Sequence, residues 1–266
     1  MEISSSIPYI NGALSITQRA VTITAGEAYK IYDGKPLTND SYTTSGLASG
    51  DKVESVTITG SQTVVGSSYN VPSGAKIVNS AGADVTSSYN ISYVSRLLDV
   101  TKRSITITAN GDEKVYDGTA LTKDSYTNTT LAAGDTIESV SVTGSQTVVG
   151  TSDNVPSAAK IVNSNGDDVT ASYEITYANG TLEVTKKAVT ITADSDTKVY
   201  DGTALTKNSY TNTDLAAGDK IESVTLTGSQ IVVGTSNNVP SAAVIKNAAG
   251  EDVTASYEIT FANGTL

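Results

Sequence analysis

Small apolar and hydroxyl-bearing residues alternate along this chain in short runs, and the runs return at a fixed interval. Ala20-Val-Thr-Ile-Thr24 and Ala188-Val-Thr-Ile-Thr192 place Val and Ile on one face and Thr on the other, the period of a half-buried β-strand. Ile137-Glu-Ser-Val-Ser-Val-Thr143 predicts a second strand, Gly144-Ser145 a tight turn, and Gln146-Thr-Val-Val149 its return. Asn154-Val155 before Pro156 predicts extended backbone that is not a central strand, because Pro brings no ladder N–H. Strands over 159–163, 169–177 and 181–185 complete the unit, with turns at Ser164 to Asp168 and at Asn179-Gly180; the second turn predicts a hairpin. Leu131-Ala-Ala-Gly-Asp135 reads as a turn too short for a helix.

The interval is set by one motif. Lys114-Val-Tyr-Asp-Gly118 recurs as Lys198 to Gly202 and, with Ile for Val, as Lys30 to Gly34, so that Tyr32, Tyr116 and Tyr200 stand 84 residues apart. Such a period marks a tandem array. Repeat 1 spans 19–102, repeat 2 spans 103–186 and repeat 3 spans 187–266, with its last strand cut short. Residues 1–18 match the end of a repeat: Tyr9 to Gln18 aligns with Tyr177 to Lys186, so this stretch reads as the C-terminal hairpin of a preceding unit.

Short strands with frequent turn signals and no amphipathic helix predict an all-β chain of three Ig-like β-sandwiches. Tyr173, just ahead of a strand and two residues before Ile175, resembles a tyrosine corner. The alternative, a β-grasp-like repeat, requires a helix for which no pattern is found. The junctions Leu98 to Ile107 and Leu182 to Ile191 hold neither Gly nor Pro. They predict a stiff, elongated rod of about 35–45 Å per repeat if strands of about ten residues lie along its axis.

Composition narrows the chemistry. The 266 residues include no Cys, no His and no Trp, which removes disulfides, thiol catalysis and the commonest general base and metal ligand. A net charge of −11 speaks for solubility and against nucleic acid or an anionic membrane as partner. No apolar run reaches the length of a membrane span. The first residues lack the basic and apolar regions of a signal peptide, and the truncated last repeat gives the chain the look of a fragment.

Taken in order, Tyr-Asp-Gly-Thr-Ala-Leu, the Leu-Ala-Ala-Gly-Asp turn, Val-Gly-Thr-Ser and the closing Ala-Ser-Tyr-Glu-Ile-Thr…Asn-Gly-Thr-Leu-Glu-Val-Thr-Lys resemble the YDG and MBG repeat domains of large bacterial surface proteins and adhesins. The resemblance covers essentially the whole chain. It implies a non-enzymatic, extracellular stalk anchored at the bacterial surface or cell wall that projects a distal binding domain; the alternative is weak, multivalent binding of host glycan, mucin or protein by the repeats themselves. Repeat 1 departs from the pattern, with Lys35-Pro36 for Thr-Ala and Ser95-Arg96 for Asn-Gly.

Within the motif, Tyr32, Tyr116 and Tyr200 read as buried rings, Asp33, Asp117 and Asp201 as turn acceptors, and Gly34, Gly118 and Gly202 as positions of positive φ; cation ligation by the three Asp is the functional alternative. The acid pairs Asp167-Asp168 and Glu251-Asp252 offer the hard oxygens that Ca²⁺ takes, without the regular Asp-x-Asp-x-Asp-Gly spacing, so no cofactor is expected. Lys114, Asn154 and Glu138 form a candidate isopeptide set, a Lys–Asn bond with an assisting acid, suggested by the surface setting. Tyr93 and Tyr177 correspond to Phe261, which predicts a core ring with a dispensable hydroxyl; Tyr29 and Tyr69, found only in repeat 1, are the surface aromatics. The basic pairs Lys102-Arg103 and Lys186-Lys187 at the junctions either bridge to the adjoining unit or end a strand in solvent. The expected partners are neighbouring repeats in a monomeric chain, with end-to-end association through the Tyr9 to Thr17 hairpin and strand swapping between near-identical repeats as further expectations.

Overall fold

The structure, a computed structural model, describes residues 12–266. Its regular elements are β-strands and three single 3-10 turns, which leaves no helix for a β-grasp. Repeat 1 holds β1 (Arg19–Ala25), β2 (Ala28–Ile31), β3 (Tyr42–Ser45), β4 (Lys52–Thr59), β5 (Gly66–Val78), β6 (Tyr89–Val94) and β7 (Arg96–Thr101). Repeat 2 follows with β8 (Arg103–Ala109), β9 (Asp112–Val115), β10 (Tyr126–Asn128), β11 (Thr136–Thr143), β12 (Gly150–Val162), β13 (Tyr173–Ala178) and β14 (Gly180–Thr185). Repeat 3 holds β15 (Lys187–Ala193), β16 (Tyr210–Asn212), β17 (Lys220–Thr227), β18 (Asn237–Lys246), β19 (Tyr257–Ala262) and β20 (Gly264–Thr265).

Each repeat builds two sheets. In repeat 1 the first has the order β3-β1-β6 and the second β2-β7-β5-β4. β1 runs antiparallel to β3 and parallel to β6, while β2 runs parallel to β7. The alternation predicted for β1 is realised: Val21, Ile23 and Ala25 are buried between Thr residues that are not. Val21 from the first sheet packs against Ile77 from the second, with Tyr89 beside them, so the two sheets share one apolar layer, a sandwich-type arrangement. The orders β10-β8-β13 and β11-β12-β14-β9 repeat this plan in repeat 2, and β16-β15-β19 and β17-β18-β20 in repeat 3. Repeat 3 has no counterpart of β2 and β9.

Three local expectations are corrected. Pro72, Pro156 and Pro240 lie inside long strands. β5 resolves the conflict with proline's missing donor by changing partner: Gly66 to Asn70 pair with β7, whereas Val71, Pro72 and Ser73 pair with β4. Around the proline the strand is therefore flanked on one side only, and the proline sits at the exchange. Gln146 to Val149 is not the return of a hairpin; Gln146 bridges to Leu121 instead. Asn179-Gly180 is no hairpin either, since β13 and β14 belong to different sheets. The chain crosses between layers there, and a Cβ on Gly180 would lie 2.5 Å from the Ala109 carbonyl, so glycine serves close backbone approach. Of the expected hairpin at Tyr9 to Thr17, residues 9–11 lie outside the described residues, and residues 12–17 belong to no strand.

The chain forms two compact units, one of Met1–Arg103, Ala132–Thr136 and Val162–Glu174, the other of Ser104–Leu131, Ile137–Ile161 and Ile175–Leu266. The division does not follow the 84-residue period. A turn and the tyrosine corner of repeat 2 group with repeat 1, and the remainder of repeat 2 groups with repeat 3.

Candidate functional site

The Tyr-Asp-Gly loop is first a local knot. Asp117 Oδ1 accepts bonds from the Thr119 N–H at 2.9 Å, the Thr119 hydroxyl at 2.8 Å and Lys114 Nζ at 2.7 Å. Lys114 Nζ also donates to the Thr119 carbonyl at 2.7 Å. These bonds, the lysine's first, hold the Asp117 carboxyl down at about 2. Gly118 supplies the φ of 82° that closes the loop. Repeat 3 ties the same knot, with Asp201 accepting from Lys198 at 2.9 Å and from the Thr203 N–H at 2.9 Å. In repeat 1, Lys35 replaces the threonine; Asp33 keeps the Lys30 ammonium at 2.5 Å and the Lys35 N–H at 2.9 Å but has no hydroxyl partner.

The tyrosine of the motif points elsewhere, into the following repeat. The Tyr32 ring meets the Tyr173 ring edge to face, centroids 5.5 Å apart at 79°, and Tyr116 meets Tyr257 with the same distance and angle. Tyr173 is itself the predicted corner. Its hydroxyl donates to Asp135 Oδ2 at 2.6 Å and accepts from the Ala132 N–H at 3.0 Å, so the tie-back reaches the Leu-Ala-Ala-Gly-Asp turn. Tyr257 repeats this with Asp219 at 2.7 Å and Ala216 at 2.9 Å.

At the second of these joints a single apolar cluster runs across the repeat boundary. Tyr116, Leu121, Leu182 and Val184 of repeat 2 pack with Val189, Ala216, Ile245, Val253 and Tyr257 of repeat 3. The small residues of the Ala-Ala turn admit the incoming loop: a Cβ on Gly34 would lie 3.1 Å from the Ala133 carbonyl, and one on Gly118 3.5 Å from that of Ala217. Burial, followed by the hydrogen bond to Asp135 and its charge, pushes the Tyr32 hydroxyl up to about 12. Tyr116 reaches about 12 through burial and then Asp219. Burial and the same carboxylates raise Tyr173 and Tyr257 as well.

Repeat 3 separates knot from joint. Its Lys-Asp-Thr bonds are intact, yet Tyr200 is 63% exposed where Tyr32 and Tyr116 are 2% exposed. The loop forms from its own residues, whereas the Tyr32 and Tyr116 rings meet the tyrosine corner of the next repeat. Sequence reasoning read the ring as buried, which Tyr200 is not, and named no partner for it; the signal lay in the small-residue turn and in the tyrosine corner recurring at the motif's own period.

The remaining candidates are scattered. Lys114 is engaged in the knot, Glu138 pairs with Lys160 at 2.5 Å, and buried Asn154 donates to the carbonyls of Asn110 at 2.9 Å and Lys123 at 2.7 Å. The structure does not bring the three together. Asn70 and Asn238 make the counterpart bonds, so this asparagine clamps two loops in every repeat. The acid pairs serve turns: Asp168 accepts from the Thr170 N–H at 2.9 Å, and Asp252 from that of Thr254 at 2.9 Å. Among the described residues no cluster of three or more acidic side chains suits a metal ion.

Tyr93 and Tyr177 are not core rings but are partly exposed, and their hydroxyls accept the Ala75 and Ala159 N–H at 2.8 and 2.9 Å. Phe261 leaves that acceptor out. Tyr29 and Tyr69 are exposed as expected. Lys102, Lys186 and Lys187 form no ion pair among the described residues, so the bridging role assigned to them has no support from these three. No helix of the described residues is long and apolar enough to cross a membrane.

Comparison with protein-family models and with curated protein sequences gives no match to this chain.

Proposed function

We propose that the chain is a structural spacer: a stretch of the stalk of a bacterial cell-surface adhesin, extracellular, whose tandem repeats hold a distal binding domain away from the surface. The observation that carries this reading is the joint. Tyr32 and Tyr116 are each buried against the next repeat's tyrosine corner, and the apolar cluster at the second joint passes through the boundary. A spacer needs neighbours whose mutual orientation is held by packing, and a Gly- or Ser-rich linker would not provide that. In repeats 1 and 2 the Lys, Asp and Tyr side chains of the motif are occupied in the knot and the joint.

Small-angle scattering tests the reading. A stiff spacer gives a maximum dimension near the sum of three repeat lengths, each on the order of 35–45 Å, and the Tyr32→Ala/Tyr116→Ala double variant gives a broader distribution of distances. A wild-type profile indistinguishable from that of the double variant would remove the joint as the stiffening element.

One observation favours a binding role as a second reading. Tyr29 pairs in register with Asp99, which accepts from the Ser67 hydroxyl at 2.8 Å, and Tyr69 pairs with Leu97. The outer face of this sheet thus presents two exposed aromatic rings around a carboxylate, a composition suited to a saccharide. Loss of glycan-array signal in Tyr29→Ala/Tyr69→Ala would support it, and an array without signal for the wild type would reject it.

A further inference from the structure

We infer that the outer face of the β2-β7-β5 sheet in repeat 1 docks a protein segment that presents one basic side chain, arginine or lysine, among apolar ones. The inference is independent of the spacer role, and it gives to a protein the face that the binding reading gives to a saccharide.

The face is built by register. Tyr29 of β2 and Ser67 of β5 stand on either side of Asp99 of β7, Leu97 stands beside Tyr69, and Ile31 lies two residues on from Tyr29. Side chains two residues apart share a face, and the same alternation buries Leu98 and Val100 on the other side of β7. Tyr29 is 85% exposed, Tyr69 67%, Ile31 61% and Leu97 48%. Together they offer about 400–500 Å² of largely apolar surface, scaled from the roughly 150–250 Å² that one aromatic side chain buries, spread over about 15 Å at ordinary strand spacings. A patch of this size on a single chain often marks a functional surface.

The fold does not require it. The same positions in repeat 2 are Glu113, Val115, Asp153, Thr181 and Glu183, all of them exposed although repeat 2 has a repeat on either side. The array therefore leaves this face open wherever a repeat stands in it, and the aromatic and aliphatic character belongs to repeat 1 alone of the two.

Asp99 decides the occupant. Its carboxylate accepts from the Ser67 hydroxyl at 2.8 Å and pairs with no Lys or Arg among the described residues. Covering the face takes this charge out of water, which is costly unless the partner brings an opposite one. A second copy docking by the same face would bring another Asp99 instead, and like charges in one contact repel. A saccharide would answer the carboxylate and the rings but not the aliphatic side chains of Ile31 and Leu97. A basic side chain answers the whole face: its stem lies on Leu97, its head reaches Asp99, Tyr29 and Tyr69 offer their rings to the cation, and apolar neighbours in the same segment cover Ile31. The net charge of −11 draws such a partner in from a distance. The patch is smaller than the roughly 800 Å² per side of a standard interface, so the contact is weak and transient.

Chemical-shift titration of the intact, isotope-labelled chain tests the inference, with synthetic peptides of alternating leucine and threonine that carry arginine, norleucine or glutamate at the central leucine position. The arginine peptide is expected to move the amides of Tyr29, Tyr69, Leu97 and Asp99 with a Kd on the order of 0.1–1 mM. It should bind about tenfold more tightly than the norleucine peptide, the size of an exposed ion pair together with a cation–π contact, and the glutamate peptide should leave these amides in place. Tyr29→Ala/Tyr69→Ala should abolish the response, and Asp99→Asn should cut the preference for arginine to about twofold, the cation–π part alone. Both variants change side chains at the surface and should stay folded by circular dichroism. No response to the arginine peptide at about 5 mM, above the weak limit of specific association, equal responses to the arginine and glutamate peptides, or a response that survives Tyr29→Ala/Tyr69→Ala would each overturn the inference. So would glycan-array signal lost in that double variant without a peptide response, which assigns the face to a saccharide, and face amides that move with protein concentration alone, which assign it to a second copy.

Discussion

Tyr116 and Tyr200 occupy the same place in the same motif, and the structure predicts that truncating them has unequal consequences. Tyr116→Ala removes a ring that is 2% exposed, that meets Tyr257 edge to face at 5.5 Å, and that belongs to the cluster joining repeats 2 and 3. Truncating a large buried aromatic ring to Ala costs about 3–5 kcal/mol, of which the edge-to-face pair contributes about 0.5–1.5 kcal/mol. Tyr200→Ala removes a ring that is 63% exposed, and exposed substitutions of this kind stay within about 0.5 kcal/mol. The Lys-Asp-Thr knot survives in both variants, because none of its bonds uses the ring. Urea denaturation under dilute conditions measures the two costs. Since stability in a repeat array is a sum of unit and interface contributions, Tyr116→Ala should also separate one transition into two. Amide exchange supplies a local readout, with faster exchange at Ala216, whose N–H the Tyr257 hydroxyl accepts. Equal losses in the two variants would refute the reasoning, because the ring would then act within its own repeat.

Three further outcomes follow from the same geometry. Tyr32 and Tyr116 carry folded-state pKa values pushed from 10.0 up to about 12; the neutral phenol is the form the joint holds, so its contribution is complete below pH 10 and is lost as pH rises from there through about 12. Denaturation midpoints should fall over that window, and less steeply in Tyr32→Phe/Tyr116→Phe, whereas an equal slope would assign the loss to other groups. Phe261→Tyr should stabilise repeat 3 by about 1 kcal/mol by giving the Ala243 N–H the acceptor its counterparts have, and Tyr177→Phe should cost a similar amount; thermal denaturation of both checks the pair. Ala158 and Ala242 hold φ of 51° and 47° where repeat 1 has Gly74 at 58°, so Ala158→Gly and Ala242→Gly should each raise stability by about 1 kcal/mol, and a loss would show that the alanine methyls pack better than the backbone is strained.

What the sequence made legible is whatever neighbouring residues decide. The burial of Val21, Ile23 and Ala25 follows from alternation alone, and the Asp117 knot follows from turn chemistry within six residues. Partner choice is different, because it is settled by chain that lies far away. Asn179-Gly180 has the composition of a hairpin turn, but β14 finds a better partner in β12 and the chain crosses to the other sheet. Pro156 has the composition of extended chain outside a central strand, but β5 shows how an interior strand tolerates proline by exchanging one neighbour for another there. The hydroxyl of Tyr177 looked idle because Phe261 lacks it; the Ala159 N–H it accepts follows Ala158 at a φ of 51°, a backbone turn that no pattern of side chains announces.

The motif itself has both kinds of content. Lys, Asp, Gly and Thr specify a loop that closes wherever the motif occurs, as Asp201 demonstrates beside an exposed tyrosine. The tyrosine specifies nothing locally; its burial depends on a small-residue turn and a second tyrosine in another repeat. Two copies of one sequence, at Tyr116 and Tyr200, therefore adopt different states with the same loop. For an array this division has a physical use. Each unit can close its loop independently as it folds and present a ring already aimed by the knot, and the contact that couples units forms only when the next repeat's Asp–Tyr pair is in place to receive it. Ring and knot are thus separable, and Tyr116→Ala should loosen the packing of repeat 2 on repeat 3 while leaving the Asp117 loop closed.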